Sequence, residues 1–150
     1  MTINSNKILQ AVEAFNTERH QHYQNPLYPD PLNVAPSCIN VENSGGWPST
    51  VPDKLEADGR FGIFPDESVG EATEHFETML QQAAKKDSWL KQHPPGIEWR
   101  EGQFEPGQTI LDAPIIKTIT DCHHAIVGKK PDMEGVTYGS DLRLVTNHTR

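Results

Sequence analysis

No run of apolar residues in this 150-residue chain approaches the roughly 20 that a membrane-spanning helix needs. Residues 1–6 lack the apolar stretch of a secretory signal, and Cys38 and Cys122 form no Cys-x-x-Cys motif. Basic residues are also few, because 13 Lys and Arg stand against 21 Asp and Glu, a net charge of −8. We therefore predict a cytoplasmic chain with two free thiols that binds neither a membrane nor nucleic acid.

The sequence also lacks the motifs of a self-contained active site. Zinc sites with carboxylate ligands commonly include a His-x-Asp pair, and neither this pair nor Glu-Glu occurs here. Gly-x-Ser-x-Gly and phosphate-binding glycine loops are absent as well. His20 and His22 fall about 200° apart on a helix, and His123 and His124 about 100° apart, so neither pair is placed to chelate a metal. We predict no catalytic residue and no metal ligand in this chain.

What the sequence does contain is a regular succession of predicted elements. Apolar residues at helical spacing predict an amphipathic helix over residues 5–22. Residues 32–42 predict a strand whose alternation changes phase near Pro36, which indicates a bulge or an edge position. Residues 43–46, Asn-Ser-Gly-Gly, predict a turn.

The clearest strand pattern spans residues 54–64, where apolar and polar residues alternate. Because successive side chains of a strand point to opposite faces, we expect one face to be buried and the other to face water. Ser68 and Glu71 then form a capping box that predicts a helix running to about residue 91.

A third strand is predicted over residues 97–104, with Ile97 and Trp99 on one face. A further helix follows, with Asp112 as N-cap, Pro114 in its first turn and Gly128 at its end. Its apolar positions are Ile115, Ile119 and Ile126.

This order of elements predicts an α+β fold, a two-layer sandwich in which helices cover one face of an antiparallel sheet. A ferredoxin-like unit would also have a strand before the first helix. The chain begins at that helix, so the predicted unit lacks its first strand.

Two segments differ from ordinary loops. Residues 45–52, Gly-Gly-Trp-Pro-Ser-Thr-Val-Pro, form either a tight turn anchored by Trp47 or a loop that presents Ser49 or Thr50 to a ligand. Residues 138–143, Tyr-Gly-Ser-Asp-Leu-Arg, form either a helix start capped by Ser140 or Asp141, or a site in which Arg143 clamps a carboxylate through two hydrogen bonds.

Three blocks in register resemble a known family. They are Gly-Gly-Trp-Pro-Ser-Thr-Val-Pro-Asp-Lys-Leu at 45–55, Gly-Arg-Phe-Gly-Ile-Phe-Pro-Asp-Glu at 59–67 and Gly-Ser-Asp-Leu-Arg at 139–143. Their order and spacing resemble the zinc-dependent amidohydrolase and peptidase family of acetylornithine deacetylase, succinyl-diaminopimelate desuccinylase, aminoacylase and carboxypeptidase G. The similarity extends over most of the chain.

The resemblance implies a parent enzyme with a catalytic domain that holds two zinc (or cobalt) ions, interrupted by a lid domain through which two subunits dimerise. Such enzymes hydrolyse an amide, often removing the acyl group of a small N-acyl amino acid. A metal-bridging water attacks, a glutamate acts as general base, and a lid histidine of the partner subunit stabilises the oxyanion. Residues 1–104 would be the lid domain without its first strand, and residues 105–150 the start of the returning catalytic segment.

The resemblance also implies substrate-binding positions. Arg143 matches an arginine that binds the substrate carboxylate in some relatives, and Ser140 matches a position that often holds threonine. Ser49 stands near the place of an asparagine that lies close to the substrate. The zinc-ligand motifs are absent, so this chain is expected to bind no metal and to be inactive alone.

Two other hypotheses remain open from the residues. The chain is alternatively a stand-alone α+β module that pairs with another protein through an exposed strand or helix face. As a third possibility, Asp121, Cys122, His123 and His124 would form the metal site of a small independent enzyme.

Overall fold

A computed structural model of the chain describes residues 2–30, 34–45, 49, 54–100 and 102–148. Within these ranges the chain is α+β, as the sequence predicts, with an antiparallel sheet of two strands and four helices. The elements are α1 (Thr2–His22), β1 (Cys38–Ser44), β2 (Leu55–Arg60), α2 (Val69–Lys85), α3 (Pro114–Val127) and α4 (Leu142–His148).

The first helix, α1, begins earlier than the predicted residue 5 and ends at His22, as predicted. Val12, Phe15 and Arg19 are buried on one of its faces, three or four residues apart. That spacing places the three side chains on the same side of a helix, where they face α2 and the segment after β2.

The sheet pairs β1 with β2 from Cys38 opposite Arg60 to Ser44 opposite Leu55. The predicted bulge exists, but it interrupts the register between Ile39 and Val41 and not at Pro36. Of the predicted strand over 32–42, residues 34 and 35 instead form a buried turn, and residues 32 and 33 lie outside the described residues. Asn43 and Ser44 extend β1 beyond the predicted turn at 43–46, within which Gly45 has a φ of 70° and Gly46 is not described.

The prediction that one face of the second strand is buried is wrong. All six residues of β2 are exposed, and the strand ends at Arg60, before the predicted residue 64. The apolar residues that follow leave the sheet, and Phe64 is buried whereas Phe61 is half-buried. The helices pack on these two rings. The alternation of apolar and polar residues therefore extends past β2 into a segment that is not a strand.

The capping box of α2 is confirmed. The Ser68 hydroxyl accepts a hydrogen bond from the Glu71 backbone N–H at 3.2 Å, and the Glu71 carboxylate accepts from the Ser68 N–H at 3.3 Å. The helix ends at Lys85 and not near residue 91. Asp87 stops it, because its carboxylate accepts from the backbone N–H groups of the two residues that begin the following turn, Trp89 and Leu90.

The predicted third strand over 97–104 is not found in its described residues, which exclude residue 101. Ile97 and Trp99 are half-buried while Glu98 and Arg100 are exposed, so the alternation of burial is correct. The segment is held by a side chain and not by a neighbouring strand, since the Trp99 indole N–H donates to the Glu77 carboxylate at 2.7 Å.

The core is built from aromatic rings around the buried guanidinium of Arg19. The rings of Phe15, Phe61, Phe76 and Trp99 lie within 4.8 to 6.3 Å of one another, centroid to centroid, in the pairs that touch. The Arg19 guanidinium lies 4.8 Å from the Phe61 ring and donates to the Gly62 carbonyl at 3.1 Å. It also pairs with the Glu67 carboxylate.

The third helix, α3, differs from the prediction at its start. Its N-cap is Ala113, which makes no side-chain cap, so the prediction that Asp112 caps the helix is wrong. Pro114 is its first residue, and Gly128 ends it with a φ of 75°, both as predicted. The apolar side chains of Ile115, Ile119 and Ile126 are 56 to 85% exposed.

Residues 105–150 touch the first part of the chain at the turn after α1. The Gly135 N–H donates to the Leu27 carbonyl at 2.8 Å, and the Tyr28 hydroxyl lies 3.4 Å from the Val136 carbonyl. The division into domains at residue 104 stays a prediction. No helix in the described ranges has both the length and the apolar character needed to cross a bilayer.

Candidate functional site

Arg143, the second residue of α4, lies against a single aromatic ring. The centre of its guanidinium is 4.7 Å from the centroid of the Phe104 ring, which is 56% exposed. The Nε of Arg143 is buried and has no hydrogen-bond partner among the residues described. A buried donor without an acceptor is unfavourable.

Gly107 allows the two segments to approach so closely. A β-carbon on this residue would lie 2.7 Å from the backbone nitrogen of Arg143 and 3.1 Å from the carbonyl carbon of Leu142. Both neighbours are backbone atoms, which cannot rotate away as a flexible side chain can. Residues 104–107 therefore run directly against the first turn of α4.

Ser140 caps the start of this helix. Its hydroxyl oxygen accepts a hydrogen bond from the Leu142 backbone N–H at 3.1 Å, and the side chain is exposed. The Asp141 carbonyl accepts from the Leu144 N–H at 2.9 Å. Of the two predicted capping residues, Ser140 is thus the one whose side chain caps the helix. A serine hydroxyl that accepts one hydrogen bond can still donate another.

Ser49, the third predicted binding residue, is exposed in a turn. Trp47 and Thr50, which belong to the same prediction, lie outside the described residues. The structure brings Ser140 and Arg143 together in one segment, and in the part of the chain that it describes it shows no contact of Ser49 with either.

The histidines of α1 occupy opposite sides of the helix, as their spacing predicts. His20 is 2% exposed, its Nδ1 lies 2.5 Å from the Asn16 carbonyl, and its ring meets Phe64 edge to face at 5.3 Å. His22 is exposed, with Nδ1 2.8 Å from the Glu18 carbonyl. His20 is therefore part of the core.

The cluster proposed for an independent metal site is not assembled. Asp121 forms an ion pair with Lys117 at 2.6 Å, which holds the pKa of the Asp121 carboxyl below its usual value. The Nδ1 of His123 lies 2.9 Å from the Lys129 carbonyl. Across the described residues, no three His, Cys, Asp or Glu side chains lie close enough together to hold a metal ion.

A shallow depression lies beside the turn that follows α1. It is lined by Tyr23, Gln24, Asn25, Pro26, Tyr28 and Pro29. Tyr23 stacks on Phe64 with ring centroids 4.1 Å apart, and burial raises the pKa of its hydroxyl. All the lining residues belong to one short segment, so the depression is a concavity of that turn.

No motif in the sequence connects Phe104 with Arg143. The pattern over 97–104 predicts that Phe104 lies on a strand, and its spacing does not relate it to residues 138–143. A pattern of aromatic and basic residues across two segments becomes visible only when the fold places them side by side.

The comparisons with known proteins are sparse. No family model matches the chain, and no solved structure matches it. Over 94 residues the chain is 26% identical to the N-formyl-4-amino-5-aminomethyl-2-methylpyrimidine deformylase of Halalkalibacterium halodurans, an alignment that covers 62% of this chain and 21% of that enzyme. The chain spans about a fifth of the length of this curated relative. It is thus distantly similar to part of a deformylase, a hydrolase of the amide type.

Proposed function

We propose that this chain is part of a larger metal-dependent amide hydrolase that removes the acyl group from small N-acyl amino acids, in the manner of acetylornithine deacetylase. The observation that carries the proposal is the 94-residue similarity to a deformylase, whose name describes removal of an acyl group from nitrogen. The three sequence blocks at 45–55, 59–67 and 139–143 support it. In this proposal residues 1–104 are the lid and dimerisation domain, and residues 105–150 begin the second catalytic segment.

The described residues of this chain do not fit a zinc or cobalt site, since no group of three ligands comes together among them. In the proposed enzyme the metal ions would be held by other parts of the protein. The contribution of this chain would then be to bind the substrate and to join two subunits.

Arg143 is the proposed substrate clamp. A guanidinium binds a carboxylate through two parallel N–H···O bonds, and such charge-assisted bonds are stronger than neutral ones. The Nε of Arg143 has no acceptor among the described residues, and the guanidinium carbon lies 4.7 Å from the centroid of the apolar Phe104 ring. Ser140 lies three residues away, and its hydroxyl is proposed to donate to the same carboxylate. Ser49 is proposed to bind the substrate from the lid.

The proposed homodimer would form through residues 1–104. The sheet of two strands supports this, because within the described residues neither β1 nor β2 pairs with a third strand. The exposed face of β2 adds to the surface that a second subunit would cover. A strand edge with free backbone groups pairs readily with another strand.

The proposal is tested with the full-length enzyme and a set of N-formyl, N-acetyl and N-succinyl amino acids, by measuring the amine released. We expect turnover of at least one member of the set. In Arg143→Ala, kcat/KM should fall by about 10- to 200-fold, the loss of one charge-assisted interaction. Arg143→Lys should restore activity only in part, because lysine lacks the planar fork.

The control substrate carries a neutral amide in place of the carboxylate, and on it the Arg143→Ala variant should equal the wild type. Arg100→Ala is a matched control, since Arg100 is exposed and pairs with Asp58 at 3.3 Å. Equal losses on both substrates, together with a lowered Tm, would show that Arg143 only braces the start of α4. No turnover of any N-acyl compound would contradict the proposed function itself.

A second candidate function is a stand-alone interaction module without catalysis. The observation that favours it is the exposed stripe of Ile115, Ile119 and Ile126 on α3. A stable dimer of the isolated chain that is disrupted by Ile119→Glu, together with no turnover by the full-length protein, would establish this candidate in place of the hydrolase.

A further inference from the structure

The contact between Phe104 and Arg143 joins residues from two segments that share no secondary structure. Phe104 lies in an irregular stretch before α3, and Arg143 lies in α4. The Phe104 ring carries no polar group, yet the guanidinium carbon of Arg143 lies over it, 4.7 Å from the ring centroid. Phe104 is 56% exposed, so burial in the core does not account for its position.

We propose that Phe104 is a positioning residue that holds the Arg143 guanidinium in the orientation needed to grip a substrate carboxylate. The inference rests on the proposed function, which assigns Arg143 as the carboxylate clamp. Phe104 does not touch the carboxylate in this proposal. It acts through Arg143.

The physical reason lies in the flexibility of arginine. A free arginine side chain rotates about four bonds, and fixing it on binding costs conformational entropy. A guanidinium stacked on an aromatic face is already restricted in plane and position. The apolar ring attracts the cation without accepting hydrogen bonds in the plane of the guanidinium, so the in-plane N–H groups stay available for a bidentate contact.

Gly107 is the second component of this arrangement. Its missing side chain lets residues 104–107 lie against the backbone of Leu142 and Arg143. A β-carbon 2.7 Å from the Arg143 nitrogen would push the two segments apart and move the Phe104 ring away from the guanidinium. Gly107→Ala therefore perturbs the same contact without changing either partner.

The test uses the 150-residue chain labelled with ¹⁵N on arginine. Relaxation of the Arg143 Nε–H signal reports the order of the side chain, and titration with sodium acetate, against sodium chloride at equal ionic strength, reports carboxylate binding. Phe104→Leu keeps an apolar side chain and removes the ring, whereas Phe104→Tyr keeps the ring. Trp89→Leu, which removes another exposed aromatic ring, is the matched control.

We expect a lowered order parameter for Arg143 and about two- to fivefold weaker acetate binding in Phe104→Leu, the change that a cation–π contact at an exposed site produces. Gly107→Ala should act in the same direction, while Phe104→Tyr and Trp89→Leu should resemble the wild type. An Arg143 signal of equal order and equal acetate affinity in Phe104→Leu would overturn the inference and leave the clamp intact.

The failure of the clamp has a different signature. If acetate at equal ionic strength does not move the wild-type Arg143 signal, the assignment of Arg143 as a carboxylate site is wrong, and the role inferred for Phe104 fails with it. In the full-length enzyme, Phe104→Leu should raise KM for carboxylate substrates by the same two- to fivefold factor, and Phe104→Tyr should keep the wild-type KM.

Discussion

The ring of Tyr28 fills the space that a side chain at Gly135 would need. A β-carbon on Gly135 would lie 2.1 to 2.5 Å from three carbon atoms of that ring. At the same place the Gly135 N–H donates to the Leu27 carbonyl at 2.8 Å. This contact joins residues 105–150 to the turn that follows α1, and a side chain at position 135 would displace the Tyr28 ring.

We expect Gly135→Ala to separate these two parts of the chain. Overpacking of this kind destabilises a fold by about 1–3 kcal/mol. The variant would relieve this strain by giving up the contact with Tyr28. Hydrogen exchange of the backbone amide at position 135 should therefore accelerate. Gly139→Ala is the matched control, because a β-carbon there meets no atom within 4 Å. Unchanged exchange in both variants would show that the contact does not hold the two parts together.

Arg19 should be the most sensitive charged residue of the core. Its side chain is 5% exposed, and removing it leaves the Glu67 carboxylate, 19% exposed, without its cation. Loss of one partner of a buried ion pair costs about 3–5 kcal/mol, so Arg19→Ala should lower the urea midpoint strongly. Arg19→Lys should recover only part of the stability, because lysine lacks the planar guanidinium that lies 4.8 Å from the Phe61 ring centroid and 4.6 Å from that of Phe64. Arg60→Ala on the exposed strand β2 should change stability by less than about 0.5 kcal/mol.

The elements that local chemistry determines were predicted well, and those that depend on partners were not. The capping box of Ser68 and Glu71 and the left-handed Gly128 are local, so the sequence alone identifies them. The alternation around Phe61 predicts a buried strand face, yet the burial comes from helices that pack on the segment after β2. Ile97 and Trp99 likewise alternate correctly without a neighbouring strand, because Glu77 binds the indole.

Ser68→Ala should destabilise α2 by about 1 kcal/mol, the usual effect of losing an N-cap. The Ser68 hydroxyl and backbone N–H lower the pKa of the Glu71 carboxyl, so this carboxylate stabilises the fold at pH values above its ordinary pKa. The stabilisation is lost as the pH falls through the lowered value. Urea midpoints measured from pH 7 to pH 3 should converge for wild type and Glu71→Gln at the acid end. A constant difference across this range would contradict the assignment.

Self-association through the sheet is expected at high concentration. In the described residues the outer sides of β1 and β2 have no strand partner, and such edges recruit further strands. Ala57→Lys should weaken the association seen by light scattering, since charged side chains on an edge strand oppose pairing. The Ile119→Glu and Ile126→Glu double variant distinguishes association through the sheet edges from association through α3. If the double variant is monomeric and Ala57→Lys is not, the edge model is wrong.

The isolated chain is expected neither to bind zinc stoichiometrically nor to release acetate from acetylornithine, since its described residues assemble no group of three metal ligands. Calorimetric titration with zinc and a coupled acetate assay measure the two properties. Tight binding of one zinc per chain, with turnover that a chelator abolishes, would refute this prediction.

The candidate site was predicted in part. The sequence identifies Arg143 and Ser140 because they share one short segment, and the structure places them together at the start of α4. Phe104 and Gly107 escape prediction since their relation to Arg143 is created by the path of the chain between residues 107 and 142. Contacts of this kind leave no periodicity in the sequence.

The buried Arg19 also has a consequence for biosynthesis. Its bonds to the Gly62 carbonyl and the Glu67 carboxylate span 43 and 48 residues of chain. While the ribosome has not yet released residue 67, α1 carries a guanidinium that has neither its rings nor its anion, and the helix has no place to dock. The aromatic cluster also includes Phe76 and Trp99, so it is complete only after residue 99 has left the exit tunnel.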